Sequence, residues 1–288
     1  MSNIAVVFVI LHYKTLDDTL ECIRSLKKLN DFKKCKIVVV DNGSSNNEHT
    51  KILEKQSIDL ITLEKNLGFA KGNNVGCKYA IKYNPDYLCV INNDIIIDDK
   101  DFISKIYSIY NEVKFDVLGP KILTNNSDSV NPFPVYKTLE EINSRIAYTK
   151  KLLKIYNNKF LRFLLSCYSK FKRLIFGKKQ LINGTNRISN VALHGCALIF
   201  SKKYYEKYTD IFYNETFLYH EEEFLYYRAI KDNLLMVYDP DIELFHKEGR
   251  SLDKAHNSDK YKKLIFRNTE ILNSLELLKK VYEEDRRI

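Results

Sequence analysis

The chain has 288 residues, 45% hydrophobic and 29% charged, with only 9 Gly and 5 Pro. This excludes disordered and collagen-like chains and suits one large domain or two small ones. Its six cysteines form no Cys-x-x-Cys pair, which argues against structural zinc. The net charge of +9 is uneven, because Ile142 to Tyr205 carries 14 Lys and Arg and no acid.

Ile4–Leu11 is a continuous β-branched run, as expected of a strand buried on both faces. It is too short for a signal peptide, and no small-residue cleavage site follows. With no run of ~18 apolar residues anywhere, no spanning helix is expected either. The expected location is cytoplasmic. Thr15 to Leu29 has helical spacing, with Thr15 as a candidate cap. Lys36–Val40 reads as a second buried strand ending at Asp41, and Asp41–Ser45 as a turn. Ile58–Leu63 is a third strand. A Gly/Asn loop leads into a helix over Gly72–Tyr83. Tyr87–Ile91 is a fourth strand, ending at Asn92-Asn93-Asp94. This order implies an α/β fold with a mostly parallel sheet and flanking helices. Ile142 to about Gln180 reads as basic amphipathic helix. Val191–Phe200, Met236–Tyr238 and Ile242–His246 read as strands, Glu221–Lys231 as a helix and Tyr261–Glu284 as a closing helix.

Ligands of such sheets bind beyond the strand carboxyl ends. That rule selects Leu11-His12-Tyr13, Asp41-Asn42-Gly43 and Asn92-Asn93-Asp94. A carboxylate among amides can hold a hard divalent ion together with phosphate oxygens and water; the same triplet also suits a turn or helix cap. Asp41 can accept from a base or ribose, or simply close a turn. In Asn66-Leu67-Gly68-Phe69-Ala70-Lys71-Gly72-Asn73-Asn74 the glycines suggest close backbone approach to a ligand, yet the run is neither a P-loop nor a dinucleotide fingerprint. His220-Glu221-Glu222-Glu223 stacks three acids at a helix start, where the macrodipole alone favours them. Their large apolar neighbours, Phe217, Leu218, Tyr219, Phe224 and Leu225, instead point to a carboxylate able to take a proton. His246 is a candidate metal ligand or a structural histidine. Lys247 and Arg250 suit phosphates or solvent.

In order, VVFVILHYKTLDDTLECIRSL, IVVVDNGSSNN, NLGFAKGNNVG, YLCVINNDI, LHGCALIFSKKYYE, FLYHEEEFL and HKEGRS resemble the family 2 glycosyltransferases of the GT-A fold. They look closest to rhamnosyltransferase-like members that build bacterial surface polysaccharides. The resemblance implies a nucleotide-binding half at 1–125, a variable region with the basic insert at 126–190, an acceptor half at 191–252 and a C-terminal helix at 253–288. It implies that Tyr13 and Asp41 contact the nucleoside, and that Asn66, Gly72 and Asn73 lie along the donor. Asn92-Asn93-Asp94 takes the Asp-x-Asp position, with Asp94 and His246 holding Mn2+ or Mg2+. Glu222 would be the base with Glu221 in reserve, and His194 and Gly195 would lie near the acceptor. Two departures stand out: Asn92 replaces an acid, and the Glu-Asp motif reads Glu-Glu.

The implied reaction is inverting transfer of a rhamnosyl, galactosyl or glucosyl unit from a UDP or dTDP donor to a polyprenyl-diphosphate-linked glycan. The insert, about 145–180, would sit on an anionic membrane leaflet. Rival readings are a nucleotidyltransferase, a non-catalytic sugar-nucleotide binder and a nucleic-acid-binding protein. No nucleic-acid partner is expected, since the basic charge is confined to one segment and no recognition motif appears.

Overall fold

A computed structural model describes residues 4–125, 129–162, 186–247 and 259–285. In chain order the strands are β1 (Val6–His12), β2 (Cys35–Asp41), β3 (Asp59–Thr62), β4 (Tyr87–Asn92), β5 (Ile95–Ile96), β6 (Val117–Thr124), β7 (Ile188–Ser189), β8 (Ala197–Ser201) and β9 (Met236–His246). The helices are α1 (Leu16–Leu26), α2 (Asn47–Glu54), α3 (Gly68–Ala80), α4 (Phe102–Val113), α5 (Leu139–Asn157), α6 (Lys202–Lys207), α7 (Glu221–Lys231) and α8 (Lys260–Asp285).

The strands form one sheet in the order β3-β2-β1-β4-β8-β6-β9-β5, with β7 pairing to β9. β3, β2, β1 and β4 are mutually parallel, as the alternating strand–helix pattern requires. β8 then runs antiparallel to both β4 and β6. Because β8 is reversed, the residues just before it stand at the same sheet edge as the carboxyl ends of β1, β2, β4 and β9. The apolar runs are buried as read: Val6 to Ile10, Val38 to Val40 and Leu88 to Val90 are essentially inaccessible. Two apolar clusters fill the faces of the sheet, one under α1 and α4, the other under α3, α6 and α7.

Several boundaries differ from the sequence reading for identifiable reasons. Thr15 precedes α1 but makes no side-chain cap; its hydroxyl instead accepts from Asn93 Nδ2 at 2.6 Å. The helix expected from Gly72 begins at Gly68. The strand expected over Val191–Phe200 starts only at Ala197. The two short strands expected around Pro240 are one, β9, whose register against β6 shifts between Pro120 and Lys121. That shift lets a proline stay in the strand as an irregularity.

α5 begins before Ile142, with a Thr138–Glu141 capping box. Its apolar side is covered: Ile142 and Ile146 pack with Phe224 of α7 and with Ile271, Leu275 and Leu278 of α8. The basic stretch beyond Arg162 lies outside the described residues. Among the described residues no helix is long and apolar enough to cross a membrane.

Candidate active site

The strand carboxyl ends converge. His12 pairs with Asp41 and Leu11 with Asn92 across β2-β1-β4. After Asn92 the chain turns through Asn93-Asp94 into β5, and Ile95 pairs with His246 at the end of β9. This short pairing carries Asp94 to His246, with Asp94 Oδ1 3.1 Å from His246 Nε2. From the other side, Cys196 O accepts the Asn92 amide at 2.8 Å, which draws His194-Gly195-Cys196 to the same edge.

α7 supplies the acids from its first turn. It opens after two consecutive left-handed residues, Tyr219 (φ 70°) and His220 (φ 67°), which cost non-glycine residues about 1–2 kcal/mol each. The three glutamates then diverge. Glu223 reaches back to His220 Nδ1 at 3.0 Å. Glu221 is buried, with Oε1 unpartnered. Burial, reinforced by Glu222, pushes its carboxyl well above the usual range, against the lowering pull of helix N–H groups. Glu222 reaches across to β8, where Oε1 accepts the Gly195 N–H at 3.0 Å. A Cβ on Gly195 would approach that oxygen to 3.1 Å, so a side chain there would crowd the contact.

His194 stands between the two halves of the site. Its ring lies 6.1 Å from that of His246 and edge-on to Phe133 at 5.1 Å. Burial lowers its pKa, partly opposed by the charges of Glu222 and Asp94. Those charges place Asp94, His246, His194 and Glu222 in one electrostatic neighbourhood.

The nucleotide side is built differently. Asp41 is buried, and its Oδ1 accepts from Ser44 N at 3.0 Å. Tyr13 follows His12, the strand partner of Asp41, and Lys14 Nζ stands 5.0 Å over its ring. Asn42 ties down the loop: it donates to Asn66 Oδ1 and Gly68 O, each at 3.0 Å, and accepts from Leu67 N at 2.9 Å. Asn42 was legible only as part of a turn, since nothing in Asp-Asn-Gly reveals a partner 24 residues away. Asn131, likewise not singled out from sequence, accepts the His194 N–H at 2.7 Å.

Several of the expected site residues also have partners within the protein. At Gly72 a Cβ would lie 2.6 Å from Leu11 Cδ1, so the missing side chain lets α3 sit on β1. Asn93 turns its amide inward, donating to Thr15 and Thr19 hydroxyls at 2.6 and 2.8 Å. Lys247 is paired with Asp18, at 3.2 Å, and with Glu21 of α1 rather than left free for phosphate. Asn66 uses its oxygen within the loop, also accepting from Gly68 N at 2.8 Å. Asn73 donates to Phe69 O at 3.1 Å but leaves a buried Oδ1 unpartnered. Arg250 lies outside the described residues.

Two ligands bound at right angles to an octahedral ion at about 2.1 Å stand about 3 Å apart. The 3.1 Å between Asp94 Oδ1 and His246 Nε2 fits that requirement. Among the described residues no group of three His, Cys, Asp or Glu could hold a metal. Phosphate oxygens and water suit the remaining positions around a hard divalent ion held by this pair.

A 127-residue stretch is 29% identical to the low-salt glycan biosynthesis hexosyltransferase Agl10 of Haloferax volcanii, covering 44% of the chain and 39% of that protein. A 110-residue stretch is 26% identical to the dTDP-rhamnosyl transferase RfbF of Shigella flexneri, covering 38% of the chain and 36% of the relative. The matches thus span under two fifths of either relative. Among solved structures, residues 1–349 of S. aureus TarS in complex with UDP superpose with a TM-score of 0.55 at 17% identity, over 93% of this chain and 66% of that one. At that identity the likeness establishes the fold, a GT-A type sheet flanked by helices. Residues 7–209, well over half of the sequence, match the Glycosyl transferase family 2 description. The chain belongs to glycosyl transferase family 2.

Proposed function

We propose that the protein is an inverting glycosyltransferase that moves a hexosyl or deoxyhexosyl unit from a nucleoside-diphosphate sugar to a hydroxyl of a glycan. The observation that carries this reading is the meeting of Glu222 with the Asp94–His246 pair around His194. A base and a candidate diphosphate-side cation site then flank one space. The hexosyltransferase and dTDP-rhamnosyl transferase names of the relatives, and the UDP bound to TarS, support a nucleotide-sugar donor.

In the proposed reaction the nucleoside lies over Asp41 and Tyr13, with the diphosphate toward Asp94. A bound Mn2+ or Mg2+, held by Asp94 and His246, would offset charge on the leaving diphosphate. The Gly195 N–H fixes one oxygen of Glu222 and leaves Oε2 to take the acceptor proton. As that proton transfers, the acceptor oxygen bonds to the anomeric carbon from the face opposite the diphosphate. The bond to the diphosphate breaks, and the anomeric configuration inverts. Nucleoside diphosphate release from UDP-glucose, UDP-galactose, UDP-N-acetylglucosamine and dTDP-rhamnose tests the reading. Release is expected from at least one donor, and EDTA should suppress it. A protein that binds a donor yet releases nothing would be a non-catalytic binder.

A lipid-linked acceptor, and an anionic membrane surface engaged through about 145–180, belong to the same proposal. Support comes from the one-sided charge of that region and from the exposed Tyr148 (51%) and Phe160 (68%). Flotation with phosphatidylglycerol vesicles at moderate salt should carry the protein upward; absence of binding removes this part.

A further inference from the structure

The inference concerns His194 and rests on the reaction proposed above. The Cys196 N–H donates to His194 Nδ1 at 3.1 Å. A backbone amide is always a donor, so Nδ1 must be the acceptor nitrogen of a neutral ring, and the proton must sit on Nε2. The tautomer therefore follows from the neighbour. The ring is also held in place. Asn131 Oδ1 accepts the His194 backbone N–H at 2.7 Å, which fixes the main chain that bears the ring, and Asn131 is itself buried and donates to Pro120 O at 2.9 Å. Phe133 closes one side of the imidazole edge-on.

What remains is a preorganised Nε2–H. It has no partner among the described residues. The adjacent residue, Gly195, holds Glu222 Oε1 through its N–H. One dipeptide thus carries the ring that bears the donor and, through the Gly195 N–H, holds the carboxylate that would accept the proton. A hydroxyl needs both: an acceptor for its proton and a donor for a lone pair.

We propose that His194 Nε2–H donates to the oxygen of the incoming hydroxyl, orienting its proton toward Glu222 Oε2 and its remaining lone pair toward the anomeric carbon. His194 forms no covalent bond and exchanges no proton. It restricts the rotation of the nucleophile before attack, a contribution that appears when reacting groups are already in contact. Water in the same place would be oriented the same way. Hydrolysis of the donor therefore reads the effect without knowledge of the natural acceptor.

The test compares wild type, His194→Phe and His194→Gln. Phe keeps a flat ring against Phe133 but has no N–H; Gln carries an amide N–H at a similar reach. The measurements are nucleoside diphosphate release from whichever UDP- or dTDP-sugar the wild type hydrolyses, donor KM, and Kd for UDP by calorimetry. His194→Phe is expected to lower kcat at least tenfold with donor KM and UDP Kd within twofold of wild type. His194→Gln is expected to recover at least a third of the wild-type kcat. A His194→Phe protein with kcat within twofold of wild type overturns the proposal. So does equal loss in Phe and Gln accompanied by weakened UDP binding, which would mark a structural role. If the wild type releases nucleoside diphosphate from none of the four sugars, the enzymatic reading itself falls and takes this proposal with it. The two failures are thereby distinguished.

Discussion

The two sides of the sheet edge treat polar groups in opposite ways. On the β2–α3 side, Asn42, Asn66 and Asp41 direct their side chains to backbone and neighbouring amides, so that the loop is stitched to itself. On the β4–β9–α7 side, buried Glu221 Oε1, Glu223 Oε2, His220 Nε2 and His246 Nδ1 have no hydrogen-bond partner among the described residues. A buried polar atom without a partner costs about 1–3 kcal/mol. A fold tolerates several of them in one place where chemistry or a ligand uses them. The first side is a loop tied to itself; the second collects the groups that the proposed reaction would use.

Substitutions should separate these two characters. The largest effect is expected at Glu222. Glu222→Gln keeps an oxygen for the Gly195 N–H but cannot take a proton, so kcat should fall by about 10²–10⁴ while UDP binding persists. Near-normal turnover would move the base elsewhere, first to Glu221. Next comes Asn42→Ala, which removes three hydrogen bonds from that loop. Urea unfolding should show a loss of about 2–3 kcal/mol, with donor KM rising because the loop is no longer held. An unchanged midpoint would mean that the stitching contributes nothing.

The smallest effect, opposite in sign, is expected at Glu221. Its folded pKa is raised by burial and by Glu222. Above the ordinary carboxylate pKa the unfolded chain has released this proton while the folded protein retains it. Stability therefore falls as pH rises through that window, up to the folded pKa. Glu221→Gln removes the penalty. Near neutral pH the melting temperature should rise by about 2–4 °C, the shift ~1 kcal/mol gives a domain of a few hundred residues. The gain should vanish below about pH 4, where both states are protonated. A lower melting temperature at pH 7 would mean that charged Glu221 has a stabilising partner.

The sequence revealed the β-branched strands because a strand buried on both faces must be apolar throughout, and Val6–Ile10 and Val38–Val40 are. It revealed α7 from its start at Glu221 to about Lys231, since acids at its start and an apolar side are local signals. From sequence alone β5, α4 and β6 go unread. β5 is two residues long, and only its pairing to β9 makes it a strand.

By itself, then, the sequence determined the α/β class and the short list of polar residues at strand ends. Strand ends must leave the apolar sheet, and polar residues there are visible as interruptions of a pattern. Tertiary structure alone decided which of them face one another. The reversal of β8 brought Gly195 to Glu222, and the β5–β9 pairing brought Asp94 to His246. It also turned Lys247 and Asn93 inward to α1 and used Gly72 to seat a helix. Those outcomes depend on contacts between residues distant in sequence, whose geometry no local pattern encodes.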